Sequence, residues 1–127
     1  MNGEKIIYKD LCYELTGIFF KVQDRMGRFC KERQYADELE RWLIERKIKY
    51  KREFSLNNLE GNDVKGNIVD FIVENKLLVD LKAKKFITKE DYFQMQRYLI
   101  SANLKLGLIV NFRETYLKPK RVINSKI

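Results

Sequence analysis

Between Ile68 and Lys82 the sequence reads IVDFIVENKLLVDLK, and this stretch limits the possible folds more than any other. Two runs, Ile68 to Val73 and Leu77 to Leu81, are apolar at nearly every position, and only Glu74, Asn75 and Lys76 separate them. Short runs of that kind belong to central strands covered on both faces. The brevity of the connector argues for an antiparallel hairpin. Each run also carries an aspartate, Asp70 or Asp80, where a core calls for an apolar side chain. An isolated ionised carboxylate in such a strand costs several kcal/mol or takes up a proton.

The flanking segments supply layers for that sheet. Leu11, Leu15, Ile18, Phe19, Val22 and Met26 recur at steps of three and four, the signature of an amphipathic helix. Gly27 and Arg28 interrupt the pattern, and a second stripe runs through Tyr35, Leu39, Trp42 and Leu43, either as a separate helix or as the same one after a break. Tyr50, Arg52 and Phe54 alternate with charged neighbours and predict a first strand. Asn57 to Asn67 is rich in turn formers and predicts a hairpin loop. Thr88, with Asp91 in the place of the capping-box acid, starts a third helix with Met95, Leu99 and Ala102 on one stripe. LGLIV, Leu106 to Val110, is another buried strand, and Tyr116 to Ile123, containing Pro119, a last edge element. Strand, helix and strand in that order imply a right-handed crossover. The class is α/β: an αβββαβ core, a mixed central sheet flanked by helices, in one domain over residues 1–127.

Two acids on adjacent strands repel unless a cation lies between them. Mg²⁺ suits, because it takes hard oxygen ligands and needs only one or two carboxylates. Lys82 stands two residues beyond Asp80 and therefore on the same strand face. Its ammonium can polarise a water or steady charge growing on a phosphoryl oxygen. An Asp70–Lys82–Asp80 ion-pair cluster without metal satisfies the same charges. Glu32, four residues before Ala36 and seven before Leu39, falls on the inward stripe of its helix, aimed at the sheet. The alternative is an exposed first-turn acid favouring the helix dipole. Gln94 and Tyr98, four apart, share one helix face and can hydrogen-bond substrate or water, or be a surface Gln beside a half-buried Tyr.

Composition removes whole classes of chemistry. The chain has no histidine, which excludes His-ligated zinc, a Ser-His-Asp triad and imidazole base catalysis. Its two cysteines, Cys12 and Cys30, are too few for a disulfide scaffold or a thiolate metal site. The N-terminus lacks a signal-peptide core and no run approaches membrane-spanning length, so a cytoplasmic location is expected. Lys and Arg number 26 against 18 Asp and Glu, a formal net charge of +8 that draws polyanions. The basic side chains concentrate at Arg41 to Arg52 (including Lys49, Lys51 and Arg52), at Lys82 to Lys89 (including Lys84 and Lys85) and at Lys118 to Arg121. Each cluster can track phosphates or simply be solvated, but the middle one adjoins the aspartates.

With Asp70, Asp80-Leu81-Lys82 and Gln94-x-x-x-Tyr98 in that order, the chain resembles the PD-(D/E)XK nuclease superfamily. The Gln-x-x-x-Tyr element is similar to that of its exonuclease-type branch. Glu32-Arg33-Gln34-Tyr35, and the whole run from Tyr8 to Ile123, resemble the GxxExxY family of small stand-alone members. The resemblance implies a restriction-endonuclease-like αβββαβ core. It implies Asp70, Asp80 and the Leu81 carbonyl as ligands of Mg²⁺ or Mn²⁺, and Lys82 as the catalytic lysine. Glu32 would be the helical acid near the metal, with Gln94 and Tyr98 as supporting residues. Two positions depart from the pattern: Phe29 stands where the name motif has Gly, and Asp80 where Glu is usual, a shorter arm of the same chemistry. The expectation is therefore a metal-dependent phosphodiester hydrolase acting on DNA or RNA, with a homo-oligomer compatible. Two rivals keep the fold without turnover: a nucleic-acid-binding module, and a partner that holds another protein through aromatic and basic surface.

Overall fold

A computed structural model describes residues 6–56 and 67–127. Helix α1 spans Lys9–Met26 and α2 spans Glu32–Glu45, so the interruption at Gly27 and Arg28 is a true break. Gly27 takes φ 80 and ψ -170 at the end of α1 and its N–H donates to the Gln23 carbonyl, a positive-φ exit for which glycine carries no Cβ penalty. The strands are β1 Tyr50–Ser55, β2 Ile68–Val73, β3 Leu77–Lys82, β4 Leu106–Asn111 and β5 Lys120–Ile123, with α3 Lys89–Ala102 between β3 and β4. The five form a mixed sheet in the order β1-β2-β3-β4-β5. Only β3 and β4 run parallel, and α3 makes their crossover. This is the expected α/β architecture, with helices on both faces.

The β2–β3 hairpin turns through Glu74 and Asn75, which take φ 55 and 58, the paired positive values of a type I′ turn. The predicted loop from 57 to 67 lies outside the described residues except for Asn67, whose carbonyl accepts the Leu56 N–H at 2.9 Å. The last strand is shorter than the sequence suggests: it begins at Lys120, immediately after Pro119, which has no N–H to give a ladder.

Strand alternation divides the core in two. Leu77, Val79 and Leu81 face α1 and α2, packing with Ile18, Phe19 and Leu39. Ile72, Leu78, Ile109 and Val122 face α3 and pack with Met95, Tyr98 and Leu99. Asp70 shares the parity of Ile72, and Asp80 and Lys82 that of Leu78, so the polar side chains project on the α3 face. The sheet thus places both acids and the amine on one side.

Candidate active site

The site forms where two central strands part. The β2–β3 ladder pairs Val73 with Leu77, Ile72 with Leu78 and Phe71 with Val79, and stops there. Beyond it the Leu81 N–H donates to Asp70 Oδ2 at 2.6 Å, so a carboxylate takes the bond that a backbone carbonyl would otherwise accept. On the other side of β2, Glu53 in β1 takes φ 53, strained for a residue with a side chain, beside Asp70. Glu32, Arg33, Ala36, Glu53, Ile68 and Asp70 line an open cleft of about 460 Å³ there.

Asp80 is buried and Asp70 half-buried, and the two carboxyl groups lie close enough for the charge on one to act on the other. Burial, and then the Asp80 charge, push the Asp70 carboxyl up to about 7, with the Glu32 charge adding to them; the Leu81 N–H pulls the other way. Two carboxyl groups in that contact require a positive charge between them, and without a metal a proton fills the need.

Lys82 sits in the same group. Its Nζ lies 3.1 Å from Asp80 Oδ2 and 3.8 Å from Asp91 Oδ1, and donates to Gln94 Oε1 at 3.3 Å. Burial disfavours the ammonium, but Asp80, then Asp91 and Glu32, outweigh it and hold the pKa above the ordinary lysine value. Lys82 is therefore a cation and a donor at neutral pH, not a base. Tyr98 is buried on the same face; burial, and then Asp80, raise its phenol, which stays protonated. The structure thus brings together Asp70, Asp80, Lys82, Gln94 and Tyr98.

The other sequence-derived residues lie apart from this group. Glu32 is exposed in the first turn of α2, although its spacing puts it on the inward stripe, because the stripe's buried part begins only at Tyr35. It reaches Asp70 as a charge across the cleft, and among the described residues no three His, Cys, Asp or Glu side chains form a ready ligand group. Arg52 is not a free cation: its Nη1 pairs with Asp37 at 2.7 Å and Glu40 at 2.9 Å. Lys49 and Lys51 are exposed but pair toward the turn end of β2, where Tyr50 meets Val73, away from Asp70. Lys85 and Lys89 are exposed beside the site, and Lys84 is held by Asp91 at 2.6 Å.

Asp91 is the residue that sequence reasoning used too narrowly. It caps α3, accepting from the Thr88 N–H at 2.7 Å, but it is also 7% exposed and anchors both Lys84 and Lys82. Burial pushes its carboxyl up; Lys84 and the Thr88 donors overcome that and hold it below the usual range. The Lys-x-Lys spacing after Asp80 was the available signal. Asn111 was not singled out either; buried opposite Lys82, it accepts from the Lys84 N–H at 3.1 Å and donates to the Lys84 carbonyl at 2.7 Å, fixing the chain that leaves the site.

A family model described as the PD-(D/E)XK nuclease superfamily covers residues 9–123. The chain belongs to that superfamily. No curated protein and no solved structure matches it. Nucleases of this superfamily generally use divalent metals and act on nucleic acid. The residues fit such an ion: two neighbouring carboxyl groups, one buried and one half-buried, are a hard, oxygen-only donor set, and Mg²⁺ needs no more than two carboxylates. No helix among the described residues is long and apolar enough to cross a membrane.

Proposed function

We propose that this member of the PD-(D/E)XK nuclease superfamily is a metal-dependent nuclease of the GxxExxY type, hydrolysing phosphodiesters of DNA or RNA. The observation that carries the reading is the contact of Asp70 with Asp80 beside the Lys82 ammonium, at the mouth of an open cleft. Asp70, Asp80 and the Leu81 carbonyl would hold Mg²⁺ or Mn²⁺, which when bound supplies Lewis-acid polarisation of a phosphoryl oxygen. Lys82, kept charged by Asp80 and Asp91, offsets charge that grows in the transition state and donates to the attacking water. Gln94 orients that ammonium, and the Tyr98 phenol is a neutral donor on the same face. Glu32 orients water from the far wall of the cleft, without direct ligation. Lys84, Lys85 and Lys89 would meet the phosphates flanking the scissile one.

Tyr35, the aromatic of Glu32-Arg33-Gln34-Tyr35, supports this reading as an anchor. Its hydroxyl donates to the Gly27 carbonyl at 2.5 Å and accepts from the Cys30 N–H at 3.2 Å, while its ring stacks on Phe112 with centroids 4.3 Å apart. The turn that delivers Glu32 is thereby tied to the core. Cys12 and Cys30 are free thiols, which suits a reducing, cytoplasmic setting.

The test is turnover of labelled single-stranded DNA, duplex DNA and RNA with Mg²⁺, Mn²⁺ or chelator. Metal-dependent cleavage is expected, with losses of about 10² to 10³ in Asp70→Asn and Lys82→Ala. Cleavage that survives both substitutions overturns the assignment. Binding without turnover by the native chain leaves a nucleic-acid-binding module.

A further inference from the structure

Three residues before Glu32, Phe29 projects into solvent with 75% of its surface exposed and belongs to neither core. A large ring left in water on a short loop is unusual in itself; its neighbours give it meaning. The Arg28 guanidinium lies 5.1 Å from the ring centroid and that of Arg113 lies 5.3 Å from it. Both arginines are fixed by main chain: Arg28 Nε donates to the Arg113 carbonyl at 2.9 Å, and Arg113 Nε returns the bond to the Arg28 carbonyl at 3.0 Å. Among the described residues neither has a carboxylate partner, and Arg28 Nη1, Arg28 Nη2 and Arg113 Nη1 make no protein hydrogen bond. So a largely solvent-exposed ring carries two pre-positioned, uncompensated cations packed over it.

The location ties this feature to the site. Arg113 Nη2 also donates to the carbonyl of Ala83 at 3.2 Å, so a single guanidinium separates the Phe29 ring from the residue after Lys82. Across the same strand end, Phe86 is 72% exposed on the loop that carries Lys84 and Lys85. Exposed rings interleaved with cations suit a chain of phosphates whose bases are free to stack. A paired duplex keeps its internal base faces covered and can offer such a ring only its two terminal pairs.

We infer that Phe29, flanked by Arg28 and Arg113, is a base-stacking platform that selects single-stranded nucleic acid at the end of β3, close to where the chain leaves Lys82. This rests on the reading of the chain as a nucleic-acid enzyme and names the form of its substrate. One unpaired base lies on the Phe29 ring, and the free arginine donors take the adjoining phosphate. The guanidinium planes add cation–π attraction that does not depend on base identity.

The experiment measures anisotropy of dye-labelled oligo-dT, oligo-rU and a blunt DNA duplex in chelator, with the native chain, Phe29→Ala and Phe29→Trp. Because Phe29 is exposed, its replacement leaves both cores intact. Phe29→Ala is expected to weaken single-strand binding roughly ten-fold or more and duplex binding less than about two-fold, and Phe29→Trp to restore it. A loss confined to one single-stranded arm supports the platform and identifies the polymer. Equal losses on single strand and duplex, no loss at all, or no single-strand binding by the native chain overturn it. Turnover with Mg²⁺ is scored separately. A native chain that stacks single strands through Phe29 but never cleaves them sinks the nuclease assignment and keeps the platform. One that cleaves while Phe29→Ala binds normally does the reverse.

Discussion

Asp70 answers to two demands that oppose each other. Its place against Asp80 suits a divalent cation, and the same place makes the metal-free chain carry two acids in contact. The carboxyl titrates at about 7 when folded against an ordinary aspartate value of 3.8, so between those values the folded chain keeps a proton that the unfolded chain has released. The stabilisation this gives is complete below the lower value and is lost as pH rises through the upper one. In chelator, this carboxyl is therefore expected to lower the melting temperature as pH rises from about 4 to about 7. Asp70→Asn keeps an oxygen to accept from Leu81 and adds a donor for Asp80, so it should flatten that dependence. Near pH 8 it should be more stable than the native chain by about 1–3 kcal/mol, the stability that a functional site forgoes. Adding Mg²⁺ or Mn²⁺ at the higher pH should recover stability in the native chain and not in Asp70→Asn. Parallel melting curves for the two proteins would show that no cation, proton or metal, is needed there.

Helix α3 carries the site's polar half, and its seating depends on a missing side chain. Gly107 in β4 lies under Met95, and a Cβ added there would run into the Met95 side chain, which is itself 1% exposed. Gly107→Ala is expected to cost about 1–3 kcal/mol in chemical denaturation, and Met95→Ala in the same chain should relieve part of that cost. Additive losses would mean that the two do not touch. At the helix start, Asp91→Asn retains capping capacity but removes the anion that faces Lys82 and Lys84. It should lower kcat with little change in KM, whereas a purely structural role would lower only the melting temperature. Strand pairing was legible because IVDFIV and LLVDL are apolar on both faces and joined too tightly to cross over. Asp70, Asp80 and Lys82 share a face as period-two spacing requires. Spacing left Glu32 open between an inward and an exposed first-turn acid, because it fixes an angle around the axis and not how far the first turn projects past the sheet. Asp91 was half-read because a capping box explains an acid fully by itself, leaving no residue to account for. The partners of Arg52 were not legible because nothing local announces Asp37 and Glu40, which reach it only when α2 lies against β1.

At the scale of the whole molecule, a net charge of +8 says that phosphate is attracted but not where it lies. The sheet decides that. Lys85 and Lys89 leave β3 on the site side, while Lys49 and Lys51 sit along β1 toward the turn at Glu74 and Asn75. Counting charges would make the two pairs equivalent, since each removes the same formal charge. Geometry makes them different, because only ions displaced by bound phosphates enter the salt dependence. Replacing Lys85 and Lys89 by Gln should reduce the slope of log affinity against log salt by roughly 1.4 on single strands, two contacts at about 0.7 each. Replacing Lys49 and Lys51 should leave the slope within error and shift affinity only slightly through long-range attraction, which salt screens within about 10 Å. If the two doubly substituted chains lose the same slope, the bound strand does not follow the end of β3, and the placement of substrate over Asp80 and Lys82 fails with it.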